Sequence, residues 1–123
     1  MNSRYSLRPN IRIPKIYLYR QAVDFRKSHR GLSAIVEMEL GHSPFTGMIY
    51  VFRNRAFNKL KILFWENNGF VLYYKSLAEE KFYWPDANTQ LLTINGEQLN
   101  WLLDGYDIAR MRPHKVLHYE SVG

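Results

Sequence analysis

Two kinds of residue in this sequence have chemistry to offer: carboxylates able to hold metal ions, and cations grouped for contact with an anion. Asp24, Asp86, Asp104 and Asp107 are the acids that could support two-metal phosphodiester chemistry. Two of them read as turn or helix-end residues, and they form no cluster along the chain. His114 and His118, with Glu120 nearby, have a spacing that would put two imidazoles on one helical face, but they sit in a Pro-containing tail without a helical stripe. G-x-S-x-G, a phosphate-cradling glycine loop and H-E-x-x-H are all missing. The chain has no cysteine, so thiolate zinc sites, disulfides and cysteine nucleophiles are excluded together. The expectation is a protein without catalytic residues, metal or cofactor.

The cations are better organised. The net charge is +6, but residues 1–30 alone carry +7 and residues 53–61 carry +4, which leaves −5 for the remainder. Such asymmetry draws a polyanion to one side of a molecule, and nucleic acid is the commonest polyanion of a cytoplasm. A basic surface kept for solubility would give the same totals. Arg26, Lys27 and Arg30 stand just before a predicted helix, where free N–H groups and the helix dipole add to their charge. Arg53 and Arg55 lie in a strand connection, and Lys59 and Lys61 alternate along the strand that leaves it, a comb able to follow repeating phosphates. Aromatic residues make up 15% of the chain, and Tyr17, Tyr19, Trp65, Tyr74, Tyr83 and Trp84 are candidates for stacking on unpaired bases, although large rings more often fill a core.

Positioning these side chains takes a folded domain, and 123 residues with 46% apolar side chains suffice for one core. Residues 1–14 read as a flexible basic arm, 15–108 as a single α+β domain and 109–123 as a flexible basic tail. The first residues contain neither a signal peptide nor a membrane span, so a cytoplasmic protein away from membranes is expected. Ile16–Tyr19 reads as a strand. Leu32, Ile35, Val36 and Leu40 form a helical stripe that Gly41 ends. Met48–Phe52, Lys59–Trp65 and Lys81–Trp84 read as further strands. Asn68-Gly69 signals a tight hairpin whose register would set Phe64 opposite Tyr73 and Trp65 opposite Leu72. That pairing puts Leu60, Ile62, Phe64, Val71 and Tyr73 on the expected core face, and Lys59, Lys61, Leu63, Trp65, Leu72 and Tyr74 on the other. Asn95 with Gln98 forms a capping box for a last helix over Leu99, Leu102 and Leu103, stopped by Gly105. The expected fold is α+β: one mainly antiparallel sheet of four or five strands, a meander with an Asn-Gly hairpin, open to curling toward a half-barrel and packed with two helices.

These segments also resemble a known family. Asp24-Phe25-Arg26-Lys27 with Gly31-Leu32, Pro44-Phe45-Thr46-Gly47 and Val51-Phe52-Arg53-Asn54-Arg55 follow one another in its order. Lys61, Leu63 and Trp65, then Asn68-Gly69 before Phe70-Val71-Leu72, Phe82-Tyr83-Trp84-Pro85 and Leu99 with Leu102 to Gly105 complete the succession. Together they are similar to the TnpB, or second-open-reading-frame, proteins encoded beside the transposase in bacterial insertion sequences of the sixty-six type. These are unrelated to the RNA-guided nuclease that shares the TnpB name. The resemblance implies a non-enzymatic accessory protein that assists DNA transposition beside the transposase of the same element, while that larger protein carries the catalytic acids. The charge pattern adds DNA as a partner, bound through Arg26, Lys27, Arg30, Arg53, Arg55, Lys59 and Lys61. The alternative is an interaction module that docks the transposase without touching DNA.

Overall fold

The computed structural model describes residues 15–86 and 88–111. The expected arm over 1–14 and most of the expected tail, including His114, His118 and Glu120, lie outside the described residues. The elements are β1 (Ile16–Ala22), α1 (His29–Ala34) continued by a π-helical turn (Ile35–Glu39), β2 (Ile49–Arg53), β3 (Lys59–Glu66), β4 (Gly69–Ser76), β5 (Leu91–Ile94) and α2 (Gly96–Leu103). They form an α+β fold around one open sheet of order β4-β3-β2-β1-β5, with β4 and β5 at its edges. Three of the four strand pairs are antiparallel. The fourth, β1 with β2, is parallel, because α1 lies in the connection between them and returns the chain to run the same way.

Sequence alternation explains the layers. Ile16 and Leu18 of β1, Ile49 and Val51 of β2, and Leu60 and Ile62 of β3 face α2, where Leu99, Leu102 and Leu103 cover them. Tyr19, Tyr50, Phe52 and Leu63 face the other way, against Leu32, Ile35 and Val36 of α1 and its π turn. Both faces are therefore core, which corrects the expectation of a single core face. It also explains why Leu60, Lys61, Ile62 and Leu63 are buried in succession: a central strand covered on both sides loses its exposed face.

Two other expectations are corrected. The hairpin turns on Asn67-Asn68, so Glu66 pairs with Gly69, Trp65 with Phe70 and Phe64 with Val71, a slip of two residues from the expected register. Positive φ is needed at Asn67, which takes 52°, and asparagine tolerates that conformation. A slip of two preserves side-chain parity, so the two face assignments survive it. Lys81–Trp84 is not a strand: Phe82 donates its N–H to the Phe57 carbonyl at 2.7 Å and buries its ring in the α2-side core. The fifth strand is instead Leu91–Ile94, antiparallel to β1. The capping box forms as expected, Asn95 Oδ1 accepting from Gln98 N and Gln98 Oε1 from Asn95 N, both at 2.8 Å.

Candidate nucleic-acid interface

The loop between β1 and α1 is built around Asp24. Its carboxylate accepts the Arg26 backbone N–H at 2.9 Å, while its carbonyl accepts from Lys27 N at 3.0 Å, closing a tight turn. The Arg26 guanidinium folds back on the same carboxylate through Nε and Nη2, the latter at 2.6 Å. These hydrogen bonds hold the Asp24 carboxyl well below its ordinary value and raise the Arg26 guanidinium. The pair lies in water, with the Arg26 side chain 92% exposed, so the turn geometry matters more than the ion-pair energy. Lys27 is exposed, and the start of its side chain lies against Gly31, where an added Cβ would come within 2.9 Å of Lys27 Cβ. Only glycine at 31 lets α1 approach the loop this closely.

Lys61 fastens this loop to the sheet. It is 7% exposed, and its ammonium donates to the Phe25 and Lys27 carbonyls, each at 2.8 Å. The same nitrogen sits 4.9 Å from the Phe25 ring centre and 5.4 Å from that of Tyr74. Burial pulls its pKa below the ordinary lysine value, with Lys59 adding to the effect and Asp24 opposing it. Lys61 thus spends its donors inside the protein, holding Arg26 and Lys27 at the surface.

The other predicted cations divide. Lys59 shares the face of Lys61 and is half-buried at the start of β3. Arg30 is exposed on α1 and lines a groove of about 290 Å³ with Ser33, Ala34, Glu37, Pro44 and Phe45. Arg55 is exposed in the β2–β3 connection, which Asn54 orders by accepting the N–H groups of Asn58 and Lys59 at 3.1 and 3.0 Å. Arg53 pairs with Leu60 and so belongs to the opposite, α2-covered face. Its guanidinium lies 4.0 Å over the Phe57 ring and donates to the Arg20 carbonyl at 2.8 Å, across a bulge in β1. Burial lowers its pKa. The sheet therefore brings Arg26, Lys27, Arg30, Lys59 and Lys61 to one side and sends Arg53 to the other.

Sequence reasoning passed over one feature of the α1 side. Phe45, Trp65 and Phe70 form a triad of rings with centroids 5.0 to 5.6 Å apart, and His29 lies 5.8 Å from Phe70. Its signal was present: Trp65 and Phe70 become cross-strand neighbours once the turn is placed on Asn67-Asn68, and Gly47 at φ 85° folds the Pro44–Gly47 turn that presents Phe45. On the α2 side a cavity of about 620 Å³ is lined by Phe57, Glu80, Lys81, Phe82, Tyr83, Trp84 and Asp107, a mixture of charge rather than a cationic surface. Among the described residues no three of His, Asp and Glu stand together as a metal-holding group. No helix among them is long and apolar enough to cross a membrane.

The arrangement is that of a small mixed-sheet α+β protein which presents a pinned cationic loop beside an aromatic cluster. The chain belongs to the IS66 Orf2-like protein family, whose model matches residues 14–113. Two relatives in Sinorhizobium fredii (strain NBRC 101917 / NGR234) are similar to it. Uncharacterized protein y4jC is 33% identical over 102 residues, covering 83% of this chain and 87% of its own length. Uncharacterized protein y4hO is 30% identical over 106 residues, covering 83% and 92%. No solved structure matches the chain.

Proposed function

We propose that this protein is a non-catalytic accessory factor in transposition of its insertion sequence, working in the cytoplasm by holding DNA phosphates on its α1 side. Membership of the IS66 Orf2-like family supports the process. The observation that carries the contact is the Lys61 clamp: two carbonyls drawn onto one buried ammonium fix a loop whose outward side chains are Arg26 and Lys27. Arg30 and Lys59 extend the cationic surface and Lys61 serves it from within, while Arg53 lies on the opposite face. The Asp24 carboxylate engages Nε and Nη2 of Arg26 and leaves Nη1 outside that ion pair.

The test is a salt-titrated binding assay with element-end and random DNA, run with and without the transposase. Each phosphate neutralised on duplex DNA should contribute about 0.9 to the slope of log K against log salt. Affinity independent of salt would remove the reading. The second reading, a module that docks the transposase, draws support from the large rings left exposed at Phe45, Tyr74 and Tyr83. Capture of the transposase that survives Arg26→Ala, Lys27→Ala and Arg30→Ala but fails on loss of an exposed ring would favour it.

A further inference from the structure

Resting on the DNA reading above, we propose that the α1-side surface of the edge strand β4 is a track for unpaired bases, which makes single-stranded DNA the ligand of this protein. Phe70, Leu72 and Tyr74 alternate onto that face of β4, which has a neighbour on one side only. Two aromatic stations result, four residues or about 13 Å apart along the strand. At the first, Phe70 meets Trp65 and Phe45, and Phe45 is 55% exposed. At the second, Tyr74 is 52% exposed and stands edge-on to Phe25, their centroids 6.0 Å apart. Exposed rings give a ligand a flat apolar face to stack on, and both stations have cations beside them. Arg30 lines the groove that Phe45 closes, and Arg26 and Lys27 follow Phe25 in the pinned loop. Glu37 is the one acid among the residues of that groove.

Alternating π-faces and cations match the chemistry of a single strand, whose bases can leave their stack while the phosphates run along the charges. A duplex keeps its bases paired and could use only the cations. The exposed rings separate the two ligands, and an apolar protein partner would find Arg30 at the first station and Arg26 with Lys27 at the second.

The experiment measures binding of a labelled thymidine oligonucleotide, the same length of duplex, and an abasic strand with identical phosphates. Phe45→Ala and Tyr74→Ala should each weaken the thymidine strand by about tenfold and leave the duplex, the abasic strand and the salt slope unchanged. Phe45→Trp and Tyr74→Phe should keep binding, and thermal melting verifies that each variant is folded. Equal affinity for all three ligands, with no effect of either alanine, would overturn the base track while leaving phosphate binding intact. Loss of transposase capture without loss of oligonucleotide binding would overturn it in favour of a protein partner, and absence of salt-dependent binding to every ligand would overturn both readings.

Discussion

Lys61 shows how far a residue's type can be from its use. Alternation put it in a comb of cations, yet the loop that comes down over β3 covers it, and its charge is balanced by two carbonyls and two rings instead of a carboxylate. Lys61→Met keeps the stem and removes the donors, leaving two carbonyls without their partner. Hydrogen bonds to charged groups are worth about 1.5–3 kcal/mol, so urea unfolding should show a loss of that order. Proteolysis between Asp24 and Lys27 should accelerate in parallel, and unchanged stability would mean that the clamp contributes nothing. Tyr50 offers a pH test on the same side of the sheet. It is 3% exposed, with its hydroxyl 2.7 Å from His42 Nδ1, and burial, with Tyr17 adding, pushes its pKa up to about 12. The native state therefore keeps a proton that the unfolded chain releases near pH 10. The associated stability is intact below pH 10 and declines as pH climbs toward 12, by roughly 3 kcal/mol for a shift of about two units. Tyr19 is shifted the same way, so Tyr50→Phe should flatten the alkaline decline without abolishing it.

Elements were legible wherever the signal was local. The capping box of α2 is written in Asn95 and Gln98 and forms with those atoms, and Asn95→Ala should cost about 1 kcal/mol in thermal or urea unfolding. The hairpin was legible as a hairpin but not in register, since Asn67, Asn68 and Gly69 offer two overlapping two-residue turns. Gly69 has no positive φ, and nothing lies within 4 Å of a Cβ placed there, so Gly69→Ala should be neutral or stabilising by up to ~1 kcal/mol. Asn67→Ala, forced to φ near 52°, should destabilise by about 1 kcal/mol. The opposite order would restore the turn at Asn68-Gly69. What stayed illegible depends on distant partners. The parallel pairing of β1 with β2 has no local signature, and β5 is four residues whose strand character comes from lying against β1. Lys81–Trp84 has strand-forming aromatics, but Phe82 is needed in the core and Pro85 follows at once. The candidate site divides in the same way. Arg26 and Lys27 were readable from charge, whereas the exclusion of Arg53 follows from its pairing with Leu60.

At the scale of the whole molecule, residues 1–14 and 112–123 hold +4 of the net +6, and the +2 of the described residues is spread unevenly over two faces. The α1 side carries the pinned loop, Arg30 and Lys59. On the α2 side, Glu80 and Asp107 line one cavity with Lys81, and Asp86 lines another of about 210 Å³ with Arg20 and Arg53. On the α1 side the cations outnumber the acids Asp24, Glu37 and Glu39 that lie among them, a surplus that would favour approach of a polyanion from that side. If that field guides DNA, removing charge should matter by face and not by number. Arg26→Ala with Lys27→Ala should lower the salt slope by as much as ~1.8, since each phosphate contact supplies about 0.9. Arg20→Ala with Lys81→Ala removes the same charge from the α2 side and should leave the slope where it was. The comparison holds net charge constant between the two double variants, so a generally basic surface predicts equal losses from both. Equal slopes would show that DNA responds to the total charge, and the division of cations by the sheet would then have no bearing on binding.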